Sequence, residues 1–311
     1  MSLWRRIKKK FTGYDLVNLH GLQFLVPIND NLYDKFINQV NKNQKIYKNS
    51  EVTMDPLPID IYAEILRVIK KKDESLEVVD LGSWVGDFGI RLAKQGKDLQ
   101  MSIEVHCVDP THPASKIPRN AKINGVAELV NWVSKPISFS GGLVNFRTNN
   151  GHTDSAHISE SGTFADIKFK TQEFESITLD DLRSTLKINS LKLFKFDLEG
   201  IDADFLHNSS EFVNDIVIFE FAPSRPEWKS WHEKQAYAGW LNTHFLFDIG
   251  YAPNPDRLSR VAKEFITFSE SINKRPYGYT DIIAIPKINS WMLEALTMDV
   301  KPPENFSYNL D

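Results

Sequence analysis

Six short runs constrain this chain more than anything else in it: EVVDLG, SIEVHCVDP, LVNWVSKPIS, LKLFKFDLEG, DIVIFEFAP and TDIIAIPK. Each has the length and the β-branched or aromatic content of a strand, and most are apolar on both faces. A strand without a polar face must be covered on both sides, which is the situation of a parallel sheet between layers of helices. Helical patterns fall between the runs. FGIRLAKQG has the apolar spacing of a helix ending at Gly96, and DDLRSTL reads as another. The order predicts a doubly wound, mostly parallel α/β sheet of about seven strands.

Residues 1–72 precede this pattern and read as a helical N-terminal extension. IDIYAEILRVIK places Ile61, Ile65, Leu66, Val68 and Ile69 on one helix face, and DNLYDKFINQV is a weaker helical candidate. Residues 73–290 form the main domain and 291–311 a C-terminal tail. Two stretches of the main domain stand apart: a polar, turn-rich insertion near 143–179 that reads as a hairpin excursion, and an aromatic-rich segment at 219–241.

Charge and cysteine usage narrow the class. The 311 residues carry a net charge of −4, which argues against a nucleic-acid partner. The opening MSLWRRIKKK holds five basic residues in ten. No apolar run follows to make it a secretory signal, and nothing approaches a membrane span of about 18 apolar residues. A solvated helix turn is the expected role, with weak peripheral membrane contact as the alternative. The single cysteine, Cys107, excludes an internal disulfide and a cysteine-rich metal site. In its apolar run it reads as a buried, inert thiol. A soluble cytoplasmic protein is expected, its oligomeric state open.

The chemistry concentrates at VVDLGSWVGDFG, where the first strand turns into a helix. Glycines here let a backbone approach a ligand, and ligands of open α/β sheets settle at the carboxyl ends of strands. The pattern is D-x-G-x-x-x-G-x-x-G, without the paired first glycines of a dinucleotide loop and without the G-K-[ST] of a P-loop. Asp80 at the strand end would repel a pyrophosphate. A nucleoside linked to a cationic or zwitterionic group fits better. The second strand ends in Asp109, placed to grip ribose hydroxyls. A structural turn with solvated aspartates is the plainer reading of the same residues.

These residues resemble the FkbM family of S-adenosylmethionine-dependent methyltransferases. EVVDLGSWVGDFGIRLAKQG is similar to that family's first motif, usually D-[IL]-G-A-N-x-G, and VDP to its second-strand motif. ITLDDL followed by LKLFKFDLEGIDADFLHNS resembles the late T-L-D-x-L and K-x-D-x-E-G pair, DIVIFEF the next strand, and FDIGY a late turn. The likeness runs from about Leu76 to Pro286 in the family's order. Ser83-Trp84 replaces Ala-Asn, Asp109 replaces Glu, and the leader falls outside it. The resemblance implies a Rossmann-like fold and S-adenosylmethionine held by Asp80, Gly82, Ser83, Gly86 and Asp109. It also implies methyl transfer to a hydroxyl of a sugar, glycan or small natural product.

Candidate acid–base residues follow. Asp197 and Glu199 stand two apart in FDLEG, on one side of an extended strand end. Either could take a proton from the acceptor; together they could hold a divalent cation, though none is indicated; or one could cap the helix IDADFL. His152, in GHTDSAHIS, is the alternative base, with His157 behind it; ordinary loop polarity is the plainer reading. H-x-D-x-x-H does not by itself make a metal site. The aromatics of the segment, Trp228, Trp231, Tyr237 and Trp240, read half as packing and half as a substrate wall. An NAD-dependent dehydrogenase or epimerase is the rival enzyme, disfavoured by the absent G-x-G and Y-x-x-x-K. A cofactor-binding homologue without catalysis is the rival outside enzymes.

Overall fold

The computed structural model describes residues 13–19, 22–28, 57–111, 113–149, 152–158, 169–187, 189–198, 200–233, 236–249, 259–260, 269–270, 272–273 and 278–293. The chain forms two compact units. The first comprises Met1–Gln44, Glu77–Ile188 and Asp197–Ile201; the second comprises Lys45–Leu76, Asn189–Phe196 and Asp202–Asp311.

The first unit carries β3 (Leu76–Leu81), α2 (Asp87–Asp98), β4 (Ile103–Val108), α3 (Ile117–Ile123) and β5 (Val130–Val133). Its strand order is β3-β4-β5, with β4 and β5 parallel. Every residue of β3 is buried, the burial that its lack of a polar face demands. Helix α2 packs an apolar stripe of Phe88, Ile90, Leu92 and Ala93 into the unit and lies against β4. It runs to Asp98, two residues past the expected stop at Gly96. That glycine sits inside the helix because a Cβ there would come within 2.7 Å of Ile103.

The second unit carries α1 (Leu57–Lys71), β10 (Leu191–Phe196), α5 (Asp202–Phe205), β11 (Ile216–Phe221), α6 (Pro226–Glu233), α7 (Ala236–Thr243), β12 (His244–Asp248), β13 (Ser259–Arg260) and β14 (Thr280–Pro286). The order is β13-β12-β14-β11-β10. β10 and β11 are parallel, whereas β14 runs antiparallel between β11 and β12. The expected doubly wound, mostly parallel α/β sheet is therefore present, in seven longer strands with two-residue β13 at an edge. β12 was not expected as a strand. Its HFLFD run reads equally as the continuation of the preceding helix.

The leader differs from the helical expectation. Helix α1 forms and buries Tyr62, Ile65, Leu66, Val68 and Ile69, but β1 (Tyr14–Leu19) and β2 (Leu22–Pro27) make an antiparallel hairpin. Val17, Phe24 and Val26 alternate inward along it, a period of two that a search for helix faces overlooks. The candidates MSLWRRIKKK and DNLYDKFINQV lie outside the described residues.

The polar insertion is a small sheet in the first unit. β6 (Ile137–Ser138), β7 (Gly142–Asn149), β8 (His152–Ile158) and β9 (Phe169–Thr178) take the order β6-β9-β7-β8. Thr178 then caps α4 (Leu179–Ser184), its hydroxyl oxygen accepting from the Asp181 amide at 3.0 Å.

Candidate functional site

The turn between β3 and α2 is built from left-handed backbone. Gly82 (φ 82°), Trp84 (φ 48°) and Gly86 (φ 80°) alternate with ordinary residues. Gly82 is compelled twice over: besides its φ, a Cβ there would lie 1.9 Å from the carbonyl oxygen of Asp197. The Asp197 amide donates to the Leu81 carbonyl at 3.1 Å, and the Gly82 amide to the Val108 carbonyl at 3.0 Å. The turn thus sits where the ends of β3 and β4 and the chain at Asp197 meet.

Trp84 holds its positive φ at a cost of roughly 1–2 kcal/mol for a residue other than glycine. Its amide donates to Asp109 Oδ2 at 2.8 Å, a charge-assisted bond that offsets the strain. The other Asp109 oxygen accepts from the Thr111 amide at 2.7 Å and from its hydroxyl at 2.5 Å. Burial pushes the Asp109 carboxyl above its usual range. The Thr111 and Trp84 hydrogen bonds oppose this, and the negative charge of Asp197 adds to it.

Two expected ligand contacts prove to be underpinnings of the turn. Asp80, read as projecting at the strand end, is fully buried. Its Oδ2 accepts from the Gly89 amide at 3.2 Å. Gly86, the N-cap of α2, has no side chain to supply a cap, so a carboxylate from the preceding strand meets the positive helix end instead. Gly89 leaves the space this requires, since a Cβ there would meet Cys107 Sγ at 2.8 Å. Ser83 is also buried, its hydroxyl donating to the Asp80 carbonyl at 2.5 Å. Cys107 is buried as expected, and burial, followed by the charge of Asp80, pushes its thiol well up.

What remains on the accessible side is the half-buried set Gly82, Trp84, Asp87, Asp197 and Leu198. Of these, Trp84, Asp87 and Leu198 were not among the expected site residues. The positive φ of Trp84 leaves no trace in the residue type, and Asp87 reads as an ordinary first-turn acid.

The main chain of Asp197 lies against Gly82 and Leu81 at the turn. Glu199 lies outside the described residues. His152 stands opposite Asn149 in the β7–β8 pair, in a sheet other than that of β3 and β4.

The turn is supported from the leader. Asn120 of α3, fully buried, donates its amide to the Val85 carbonyl at 3.0 Å and accepts from the Leu25 amide of β2 at 2.8 Å. Asn124 binds β2 in the same way, accepting from the Gln23 amide at 2.9 Å. One asparagine thus ties the hairpin to the glycine turn.

For the three tryptophans of the aromatic segment the packing half of the expectation holds, and half-buried Tyr237 lies at their margin. Trp228, Trp231 and Trp240 are all buried. The indoles of Trp231 and Trp240 both donate to the Leu206 carbonyl, at 2.9 and 2.7 Å, and Phe219 and Phe221 pack against Trp228. These rings fill the core of the second unit.

No family model and no curated protein matches the chain. Among solved structures it is similar to M. jannaschii TYW2 in complex with AdoMet, at 12% identity and TM-score 0.38 over 88% of this chain and 85% of that one. It is similar to a protein provisionally called an O-methyltransferase from Nostoc punctiforme at 12% identity and TM-score 0.34. That alignment takes in 76% of this chain and only 58% of the Nostoc protein. A precorrin-6y C5,15-methyltransferase from Geobacter metallireducens matches at 9% identity and TM-score 0.34, over 72% and 85% of the two chains. Likenesses this loose assign no activity, which has to be argued from the residues themselves.

Proposed function

We propose that the chain is an S-adenosylmethionine-dependent methyltransferase of FkbM type, acting on a hydroxyl of a sugar, glycan or small natural product. The observation that carries the reading is the chemistry around Gly82. A backbone-lined turn follows β3 beside the end of β4, and the groups gathered there are the carboxylates Asp80, Asp109 and Asp197. Such a field disfavours a pyrophosphate and favours a nucleoside that carries positive charge. A sulfonium nucleoside has that charge.

The residues fit this ligand in two respects. The bare backbone at Gly82 allows close approach. A carboxylate offers about four acceptor directions, and Asp109 uses three of them on Trp84 and Thr111, which leaves one for a ribose hydroxyl. When bound, the cofactor supplies an electrophilic methyl group. The turn fixes the nucleoside and so sets the line along which an acceptor oxygen approaches, where positioning dominates the rate. Asp197, near enough to raise the proton affinity of Asp109, receives or orients the acceptor hydroxyl, with Glu199 as its companion in the sequence motif.

Titration calorimetry with S-adenosylhomocysteine, beside NAD, tests the reading. Micromolar binding of S-adenosylhomocysteine, with none of NAD and loss on Asp109→Ala, is expected. An acceptor screen with labelled cofactor follows. Tighter binding of NAD, or no binding of S-adenosylhomocysteine by the wild-type protein, overturns it. Binding without turnover of any hydroxyl acceptor would leave the non-catalytic homologue in its place.

A further inference from the structure

Among the described residues, three side chains with metal-ligating atoms converge at a place the turn does not use. Glu77 is the second residue of β3, and Glu104 and His106 are the second and fourth of β4. One atom from each lies within 4.8 Å of the other two. His106 Nε2 stands 4.0 Å from Glu77 Oε2 and 3.9 Å from Glu104 Oε1. All three residues belong to the first unit, nearer the amino ends of the strands than Asp80 and Asp109.

The carboxylates have evident duties. The Lys187 backbone amide donates to both Glu77 oxygens, at 2.9 and 3.1 Å. The Lys187 ammonium donates to Glu104 Oε2 at 2.7 Å, and the Asn131 amide to Glu104 Oε1 at 2.7 Å. His106 has no such account. It is 7% exposed, and among the described residues its buried Nε2 finds no hydrogen-bond partner. A protonated nitrogen facing two carboxylates would draw them to about 2.8 Å; at 3.9–4.0 Å neither bond is made. An unprotonated nitrogen would set its lone pair against two anions. Either way the three atoms present a set of donors that a cation would satisfy.

We infer that Glu77, Glu104 and His106 form a binding site for a divalent transition ion of the zinc type, distinct from the cofactor turn. Bonds of about 2.0–2.2 Å to one zinc ion hold two ligand atoms about 3.3–3.6 Å apart at the tetrahedral angle. The observed 3.9 and 4.0 Å spacings come within this range when side-chain rotations draw the three atoms a few tenths of an ångström closer. One imidazole with two carboxylates is a donor set suited to zinc. Asn131 stands opposite His106 in the β4–β5 register; turning its amide over would bring its carbonyl toward the ion as a fourth ligand. Lys187 is the built-in competitor, since its ammonium already neutralises Glu104.

The inference is independent of the methyltransferase reading. Full-length protein stripped with a chelator is titrated with Zn²⁺ against a fluorescent zinc indicator at pH 7.5, and with Co²⁺ as a spectroscopic probe. Binding of one ion per chain is expected, lost to below detection in His106→Ala and weakened at least tenfold in Glu104→Gln. Because His106→Ala removes a buried ring, Lys187→Met supplies a check that needs no buried change: removal of the competing ammonium tightens Zn²⁺ binding several-fold. No ion bound by the wild-type protein overturns the proposal, as does binding that His106→Ala and Lys187→Met both leave unchanged. S-adenosylhomocysteine affinity, measured in parallel, reports on the turn alone.

Discussion

Gly82 shows how closely a single residue type can be specified. A side chain there would need a positive φ and would have to occupy the place of the Asp197 carbonyl oxygen, 1.9 Å from its Cβ. Gly82→Ala is expected to destabilise the protein by more than about 2 kcal/mol and to abolish S-adenosylhomocysteine binding. Thermal denaturation and calorimetry on the one variant measure both. His244 supports a second prediction. It is fully buried and half-ringed by carbonyls, with Nε2 at 3.0 Å from the Phe212 oxygen and 3.3 Å from that of Asp215. Nε2 must donate there, so in the neutral ring Nδ1 accepts from the Thr243 hydroxyl at 2.8 Å. Burial lowers the pKa of His244 to about 4 from 6.5. The unfolded chain therefore binds the extra proton first as pH falls. The stability that the neutral ring contributes is whole above pH 6.5 and is lost between there and about pH 4, up to about 3 kcal/mol. Denaturant midpoints across that window should fall in the wild-type protein and fall less in His244→Gln.

The elements were legible to different degrees, for physical reasons. β3, β4, β10, β11 and β14 declare themselves because each is a short, mostly apolar run rich in β-branched or aromatic residues, in which the few polar residues do not make up a helical pattern. β12 did not, since HFLFD follows α7 without a breaking residue. Hairpin β1–β2 was hidden in a leader read for helix faces, and its alternation at Val17, Phe24 and Val26 is only six residues per strand. The glycine turn and its flanking Asp109 were visible as a pattern. Which of its carboxylates face a ligand was not, because burial of Asp80 and Ser83 follows from how α2 is capped. The aromatic helices α6 and α7 carry the opposite lesson. Trp228, Trp231 and Trp240 have spacing that serves a core and a binding wall equally, and only the shared Leu206 carbonyl decides for the core.

At the scale of the whole chain, the leader has a definite task. Its hairpin reaches the glycine turn through Asn120, whose two ends hold Leu25 and Val85. Asn120→Leu keeps the volume but leaves the buried Val85 carbonyl without its partner, at a cost of about 1–3 kcal/mol, and the half-buried Leu25 amide at a smaller one. A lower melting temperature and roughly tenfold weaker S-adenosylhomocysteine binding are expected together. An unchanged affinity in a folded variant would separate the leader from the turn. No helix among the described residues is long and apolar enough to cross a membrane.

The interlock of Gly82 with Asp197 also limits how this turn could be transplanted. A designer who moved Val78–Gly89 alone onto another α/β scaffold would carry over the glycines but not the carbonyl that fills the notch beside the first of them. The turn and the strand end at Asp197 are therefore one inheritable part in two pieces of sequence. In a set of relatives, a side chain gained at position 82 should appear only alongside a rerouted backbone at position 197.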